Sequence, residues 1–163
     1  MRLKDCHSFG DFRELARRRL PSPIFNYIDG AADDESTYER NTKSFEDCDL
    51  VPNVLRGVED IDMSVEILGH KIDMPIYCSP TALQRVFHHQ GEHAVAAAAD
   101  KYGTLFGVSS LGTVSLAEVR QKYTGPQCYQ FYYHKDKALN QVMLENAKNA
   151  NVDVMMLTVD TIT

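Results

Sequence analysis

A rhythm that begins at residue 75 constrains this chain more than any other feature. Apolar segments PIYCSP, TLFGVSS, QCYQFYY and VDVMMLTVD alternate with the helix-like segments GEHAVAAAADKYG, SLAEVRQKY and DKALNQVMLENAKNA. The apolar segments start roughly 23 to 29 residues apart, the size of a βα unit in a parallel sheet. Their near-continuous apolar character predicts strands buried on both faces. Two architectures accommodate four such units. One is a complete four-stranded doubly wound sheet, and the other is half of a (β/α)8 barrel of ~250 residues. Periodicity does not choose between them. The chain has 163 residues, and its last apolar segment meets the C-terminus with no helix to cover it. An uncovered apolar edge is an aggregation hazard, so the sequence reads as a piece of a longer protein.

Residues 1–74 form a region of different character. Ser8 is a candidate N-cap for a helix running to about Leu20, with Phe12, Leu15, Ala16 and Leu20 on one face. Pro21 and Pro23 end it and open a second helix through Ile24, Tyr27 and Ile28, with Gly30 as its C-cap. A third helix is expected from Glu35 to Phe45. The run Asp33-Asp34-Glu35 has the spacing of carboxylates capping its N-terminus. An irregular stretch follows, then a hairpin, SVEILGHKI, expected to turn at Gly69-His70.

Charge and cysteine usage exclude several functions. The net charge is -6, which argues against a nucleic-acid surface, since such a surface needs a basic excess or stripe. The one basic cluster, Arg17-Arg18-Arg19, reads as a solvated helix end. The start, MRLKDCHSFGDF, lacks the apolar core of a secretory signal, and no apolar run nears the ~20 residues of a spanning helix. A cytoplasmic protein, at most peripheral to the inner membrane, is expected. Cys6, Cys48, Cys78 and Cys128 form no CxxC pair and read as reduced structural thiols. His88, His89 and His93 read as a solvated loop, and no metal site is expected. GxGxxG and GxxxxGK[ST] are both missing, so neither a nicotinamide nor an ATP loop is supported.

In parallel α/β folds, functional groups gather at the C-terminal ends of the strands. Those ends read Ser79-Pro80-Thr81-Ala82, Ser109-Ser110, Gln130-Phe131-Tyr132 and Thr158-Val159-Asp160. They supply hydroxyls, an amide and a carboxylate. Such a set suits a polar heteroaromatic ligand held from several sides, and equally suits strand ends that simply meet water.

These segments resemble the flavin-dependent 2-hydroxy-acid dehydrogenases and oxidases. The likeness starts at LARRRLPSPIFNYIDGAADDE. It continues through NTKSFEDCDLVPNVLRGV, SVEILGHKIDMPIYCSPTAL, GEHAVAAAADKYGT, VSSLGTVSLAEV, QFYYHKD and LTVDT. Seven segments in register make a specific match. The resemblance implies an incomplete (β/α)8 barrel, with residues 1–74 as an N-terminal helical segment and hairpin and 75–163 as the first half of an FMN-binding barrel.

It also implies roles. Pro80, Thr81 and Ala82 would lie against the flavin near N5. Ser109, Gln130 and Thr158 would hydrogen-bond its pyrimidine side. Tyr27 would donate to the substrate carboxylate, and Tyr132 would sit beside the substrate hydroxyl. Asp160 would have at most an orienting role. The implied reaction is net hydride transfer from a small L-2-hydroxy acid, lactate first, to flavin N5. The family's flavin-charge lysine, catalytic histidine, carboxylate-binding arginines and phosphate site come from later strands. The fragment alone is therefore expected to be inactive. A complete relative is expected to form homo-oligomers. Leu111 stands where many glycolate oxidases carry Trp, and Leu83 where Met is common. Ala82 stands where some relatives have Gly, which leaves oxidase and dehydrogenase, and the electron acceptor, open. The FNYIDGAADDE opening leans toward bacterial lactate dehydrogenases. A non-catalytic half-barrel that assembles with a partner is the alternative reading.

Overall fold

The computed structural model describes residues 2–160. The chain divides into two compact units, residues 1–60 and 61–163.

The first unit opens with a short 3-10 turn, Leu3–Asp5, followed by α1 (Phe9–Arg19), α2 (Ser22–Asp29) and α3 (Ser36–Lys43). Ser8 caps α1 as expected. Its hydroxyl accepts from Asp11 N, and the Asp11 carboxylate accepts from Ser8 N at 2.9 Å, so two otherwise orphaned amides are satisfied. Leu15 and Phe25 are the buried apolar residues of this unit. A two-pronged Arg13–Asp29 pair ties α1 to α2. The exposed arginines Arg17 and Arg18 pair with Glu14 and hold its carboxyl down to about 2.

Gly30 is the C-cap of α2 as expected, with an extended backbone. The expectation at the start of α3 needs correction. Glu35 is the N-cap of α3 and makes no side-chain cap, because its carboxylate turns back to accept from Ala31 N.

The second unit begins with an antiparallel hairpin of β1 (Val65–Ile67) and β2 (His70–Ile72). Its two-residue turn is Leu68-Gly69, one residue earlier than expected, because His70 already pairs with Ile67. Both turn residues have positive φ, 52° and 80°, the combination that matches the twist of a tight hairpin. Next come α4 (Gln84–Phe87), α5 (Glu92–Lys101), β3 (Phe106–Ser109), α6 (Leu116–Lys122), β4 (Gln127–Tyr132), α7 (Lys137–Asn149) and β5 (Val154–Thr158). The short α4 has no counterpart in the sequence expectations.

The sheet is parallel and its order is sequential, β3-β4-β5. The expected first strand, PIYCSP, is reduced to a single parallel bridge from Cys78 to Phe106 on the outer side of β3. Cys78 N donates to Leu105 O, and Cys78 O accepts from Gly107 N. The ladder stops there because Pro80 has no N–H for the next rung.

Side chains alternate between the two faces. One face carries Phe106, Val108, Tyr129 and Phe131, which pack with Ala96 and Ala99 of α5, Leu116 and Val119 of α6, and Ala147 of α7. All three long helices thus cover one face. On the other face, Leu105 and Cys128 pack with Ile72 of the hairpin, flanked by Val154 and Met156. A doubly wound sheet reverses its strand order and carries helices on both faces. Sequential order with helices on one face is barrel topology.

Candidate functional site

The hairpin-side face changes character along the strands. Near their N-terminal ends it is apolar: Leu105, Cys128, Val154 and Met156. Near their C-terminal ends it becomes polar, with Ser109 opposite Gln130 in the ladder and Thr158 opposite Tyr132. Ser109 and Gln130 are buried, and Thr158 and Tyr132 are half-buried.

A hydrogen-bond chain joins these residues across three strands. Gln130 Oε1 accepts from Ser109 Oγ at 3.3 Å, and from Ser110 N and Ser110 Oγ at 3.2 Å each. Gln130 Nε2 donates to Thr158 Oγ1 at 2.7 Å. Ser109 Oγ in turn accepts from Leu111 N at 3.1 Å. A backbone N–H can only donate, so Ser110 N fixes which end of the Gln130 amide is the oxygen. Thr158 Oγ1 accepts from Gln130, which leaves its own hydrogen to donate elsewhere.

Beyond Tyr132 the strand ends open into a cleft of about 980 Å³. It is lined by Leu111 after β3, by Tyr132, Tyr133, His134 and Lys135 at and after the end of β4, and by Leu157, Thr158 and Val159 at the end of β5. Asp160 is exposed just past β5 and is not among the cleft-lining residues. Tyr27 lies on α2 in the first unit and is exposed. Ser109, Gln130, Tyr132 and Thr158 are thus brought together on one face.

Pro80, Thr81 and Ala82 follow the Cys78 bridge. Gly107 makes their path possible: a Cβ there would come within 2.6 Å of Pro80 Cδ and 2.7 Å of Pro80 N. The segment is then held at its far end, where Leu83 N donates to Leu111 O at 3.1 Å and Gln84 Nε2 donates to Thr81 O at 3.2 Å. The SPTA turn and the loop after β3 are therefore fastened to each other.

Two framing residues were not singled out from the sequence. Glu92, at the start of α5, is fully buried. Its carboxylate accepts from Thr113 N and Thr113 Oγ1, both at 2.6 Å, and so anchors the loop that follows β3. Burial, the largest single influence, pushes the Glu92 pKa up, but the hydrogen bonds from Thr113 and from the backbone of Glu92 and Gln84 together outweigh it and leave the group below the ordinary glutamate range. Asn140, in the first turns of α7, is also buried. A glutamate and an asparagine inside amphipathic helices look like surface residues. The available signal was Glu92 directly after Gly91, whose φ of 51° and tight contact with Arg85 bring two helices together.

The thiols need no catalytic reading. All four cysteines are free, and burial pushes Cys78 and Cys128 up, which keeps them protonated. His93 Nε2 lies 2.9 Å from Glu118 Oε1. Among the described residues, no helix is long and apolar enough to cross a membrane.

Parallel strands in sequential order with helices on one face define the opening part of a (β/α)8 barrel, and the polar rim lies at the C-terminal ends of its strands. The family model for FMN-dependent dehydrogenases matches residues 16–163, and the chain belongs to that family. It is 36% identical over 151 residues to glycolate oxidase 1 of Oryza sativa subsp. indica, covering 93% of this chain and 41% of that protein. It is 37% identical over 150 residues to an L-lactate dehydrogenase of Vibrio parahaemolyticus, covering 92% of this chain and 40% of the relative. The crystal structure of a mandelate oxidase superposes with a TM-score of 0.85 at 30% identity, over 94% of this chain and 45% of that one. The chain therefore spans about two-fifths of the length of these curated relatives.

Proposed function

We propose that this chain supplies the N-terminal half of an enzyme that oxidises an L-2-hydroxy acid, lactate first, to the 2-keto acid with FMN. The observation that carries the reading is the polar rim on one sheet face, Ser109–Gln130–Thr158, set directly above an apolar floor.

The residues present fit a flavin. Gln130 with Oε1 fully engaged has one N–H left to donate, and Thr158 has its hydroxyl hydrogen. Fixed donors of this kind suit the pyrimidine oxygens of an isoalloxazine, where charge grows on reduction. Ser109, whose one hydrogen goes to Gln130 Oε1, would contribute an acceptor lone pair on the same side, and the Pro80, Thr81 and Ala82 backbone would support the ring from the neighbouring strand end. When bound, FMN supplies the two-electron acceptor for net hydride removal from the α-carbon.

The chain's own part in the reaction is positional. The Tyr132 hydroxyl, beside the cleft, would hydrogen-bond the substrate hydroxyl and then the keto oxygen that forms from it. Tyr27 would donate to the substrate carboxylate. Asp160 would orient a neighbouring group. The family's catalytic histidine comes from a later strand, so the 163 residues alone are expected to turn nothing over. Homo-oligomers, and a cytoplasmic location peripheral at most to the inner membrane, belong to the same proposal and rest on the sequence alone.

The test is a complete barrel containing this chain, loaded with FMN and mixed anaerobically with L-lactate. The flavin absorbance near its visible maximum should bleach. No bleaching by L-lactate, glycolate or L-mandelate would overturn the reading.

One observation favours a second reading. Met155 and Leu157 on β5 are 45% and 58% exposed, and the strand's far edge has no partner strand among the described residues. A half-barrel that pairs with a complementary polypeptide through this edge would bury both. Sedimentation of the 163-residue chain as a well-folded monomer would count against it.

A further inference from the structure

Tyr132, the last residue of β4, and Tyr133, His134 and Lys135 of the loop after it are four of the residues that line the cleft. Loops of this kind ordinarily owe their position to packing. Here the aromatic and cationic side chains are turned toward solvent: Tyr133 is 68% exposed, and Lys135 is exposed as well. Something other than a core must hold the backbone.

Asn140 does so. The residue is 4% exposed, and its side chain makes two hydrogen bonds, both to the backbone of one residue. Asn140 Oδ1 accepts from His134 N at 2.8 Å, and Asn140 Nδ2 donates to His134 O at 2.8 Å. The amide thus pairs with His134 as a neighbouring strand would, satisfying both of its main-chain groups at a point where β4 has already lost its ladder. The helix that carries Asn140 is itself fixed. Asp136 caps its start through Ala138 N and Leu139 N, and Ala147 packs in the core. The loop is therefore fastened to a rigid element two residues past Tyr132.

We infer that Asn140 is a positioning residue: it latches the β4–α7 loop at His134 and so sets the place of Tyr132 and its neighbours in the cleft. The role for Tyr132 rests on the function proposed above; the latch itself does not. Asn is suited to the task because it offers one acceptor and one donor from the same planar group. Aspartate has the same shape but, when ionised, only accepts. It could accept from His134 N while facing His134 O with a like partial charge. Protonated, it regains a donor. The latch thus makes a pH-dependent prediction for Asn140→Asp that a space-filling role does not make.

The test is amide hydrogen exchange on the full 163-residue chain, expressed as protection factors so that the intrinsic pH dependence is removed. In Asn140→Ala, protection at His134 should fall by about tenfold, the order expected when hydrogen bonds of ordinary strength are lost. Protection at Ala147 and Val108 should stay unchanged. In Asn140→Asp, protection at His134 should be low at neutral pH and recover on acidification through the carboxyl's pKa. Unchanged protection at His134 in Asn140→Ala would overturn the latch. So would an equal loss at His134 and Ala147, which would make Asn140 a support of the helix alone. If His134 is released as expected but a flavin-loaded complete barrel carrying Asn140→Ala keeps its KM and kcat, the role given to Tyr132 fails and the latch stands.

Discussion

The two faces of the parallel sheet are built from the same three strands and differ in what they do. The helix face is apolar from end to end: Phe106, Val108, Tyr129 and Phe131 meet Ala96, Ala99, Val119 and Ala147. The opposite face is apolar only at one end, where Leu105 and Cys128 meet Ile72, and then gives way to Ser109, Gln130 and Thr158. Alternation at a period of two lets one strand serve both purposes. Stability is concentrated on the first face. The second face holds a polar network whose members satisfy one another and keep two donors in reserve, one Gln130 N–H and the Thr158 hydroxyl.

If this division is right, substitutions should sort by face. Phe106→Ala, at a 2% exposed position on the helix face, should cost about 3–5 kcal/mol, the range for truncating a packed phenylalanine. Urea unfolding followed by circular dichroism would measure it. A loss under about 1 kcal/mol would mean that the helix face is not the main source of stability.

Glu92→Ala comes next. It removes a buried carboxylate that accepts two hydrogen bonds from Thr113, which should cost roughly 2–3 kcal/mol. The same group gives a pH signature. Its pKa is lower in the folded chain than in the unfolded one. Its contribution is therefore complete above the ordinary glutamate pKa and lost as pH falls through the folded value. Glu92→Gln should show a flatter decline in stability across that acidic window than the parent chain. Equal slopes would show that Glu92 does not carry it.

On the ligand face the effects on stability should be smaller and those on binding larger. Gln130→Leu removes the centre of the network but fills its space with an apolar group. It should cost about 1–3 kcal/mol, because Ser109 Oγ and Ser110 N lose their acceptor, while in a complete barrel it weakens FMN binding at least tenfold. Thr158→Val should have the smallest effect on folding, within about 1 kcal/mol, and a measurable effect on flavin affinity by fluorescence titration. A large loss of stability from either, with flavin affinity intact, would erase the distinction between the faces.

Much of this arrangement is legible in the sequence because it follows from local chemistry. Ser8 capping α1, Pro21 before α2 with Pro23 in its first turn, and the apolar runs at β3, β4 and β5 need only neighbours in the chain. That Ser109, Gln130 and Thr158 meet on one rim was legible too, since the C-terminal ends of neighbouring parallel strands lie side by side. What escaped is long-range. The PIYCSP strand shrinks to one bridge because Pro80 meets β3 where a donor is needed. The hairpin turns at Leu68-Gly69 and not at Gly69-His70 because pairing of His70 with Ile67 fixes the register. Glu92 and Asn140 read as solvated helix residues, since their partners lie in loops that only the fold brings near. Pattern could not separate a doubly wound sheet from a barrel. The sequential strand order and one-sided helices do.

The most direct test of the central claim, that the polar rim of this chain is half of a flavin site, is a fluorescence titration of FMN. The 163-residue chain would be mixed with the C-terminal part of a family barrel, with each part alone and the Gln130→Leu chain as controls. The account predicts quenching of flavin fluorescence by the mixture, little by either part alone, and at least tenfold weaker binding with Gln130→Leu. Quenching of equal strength without this chain, or with Gln130→Leu in its place, would contradict it.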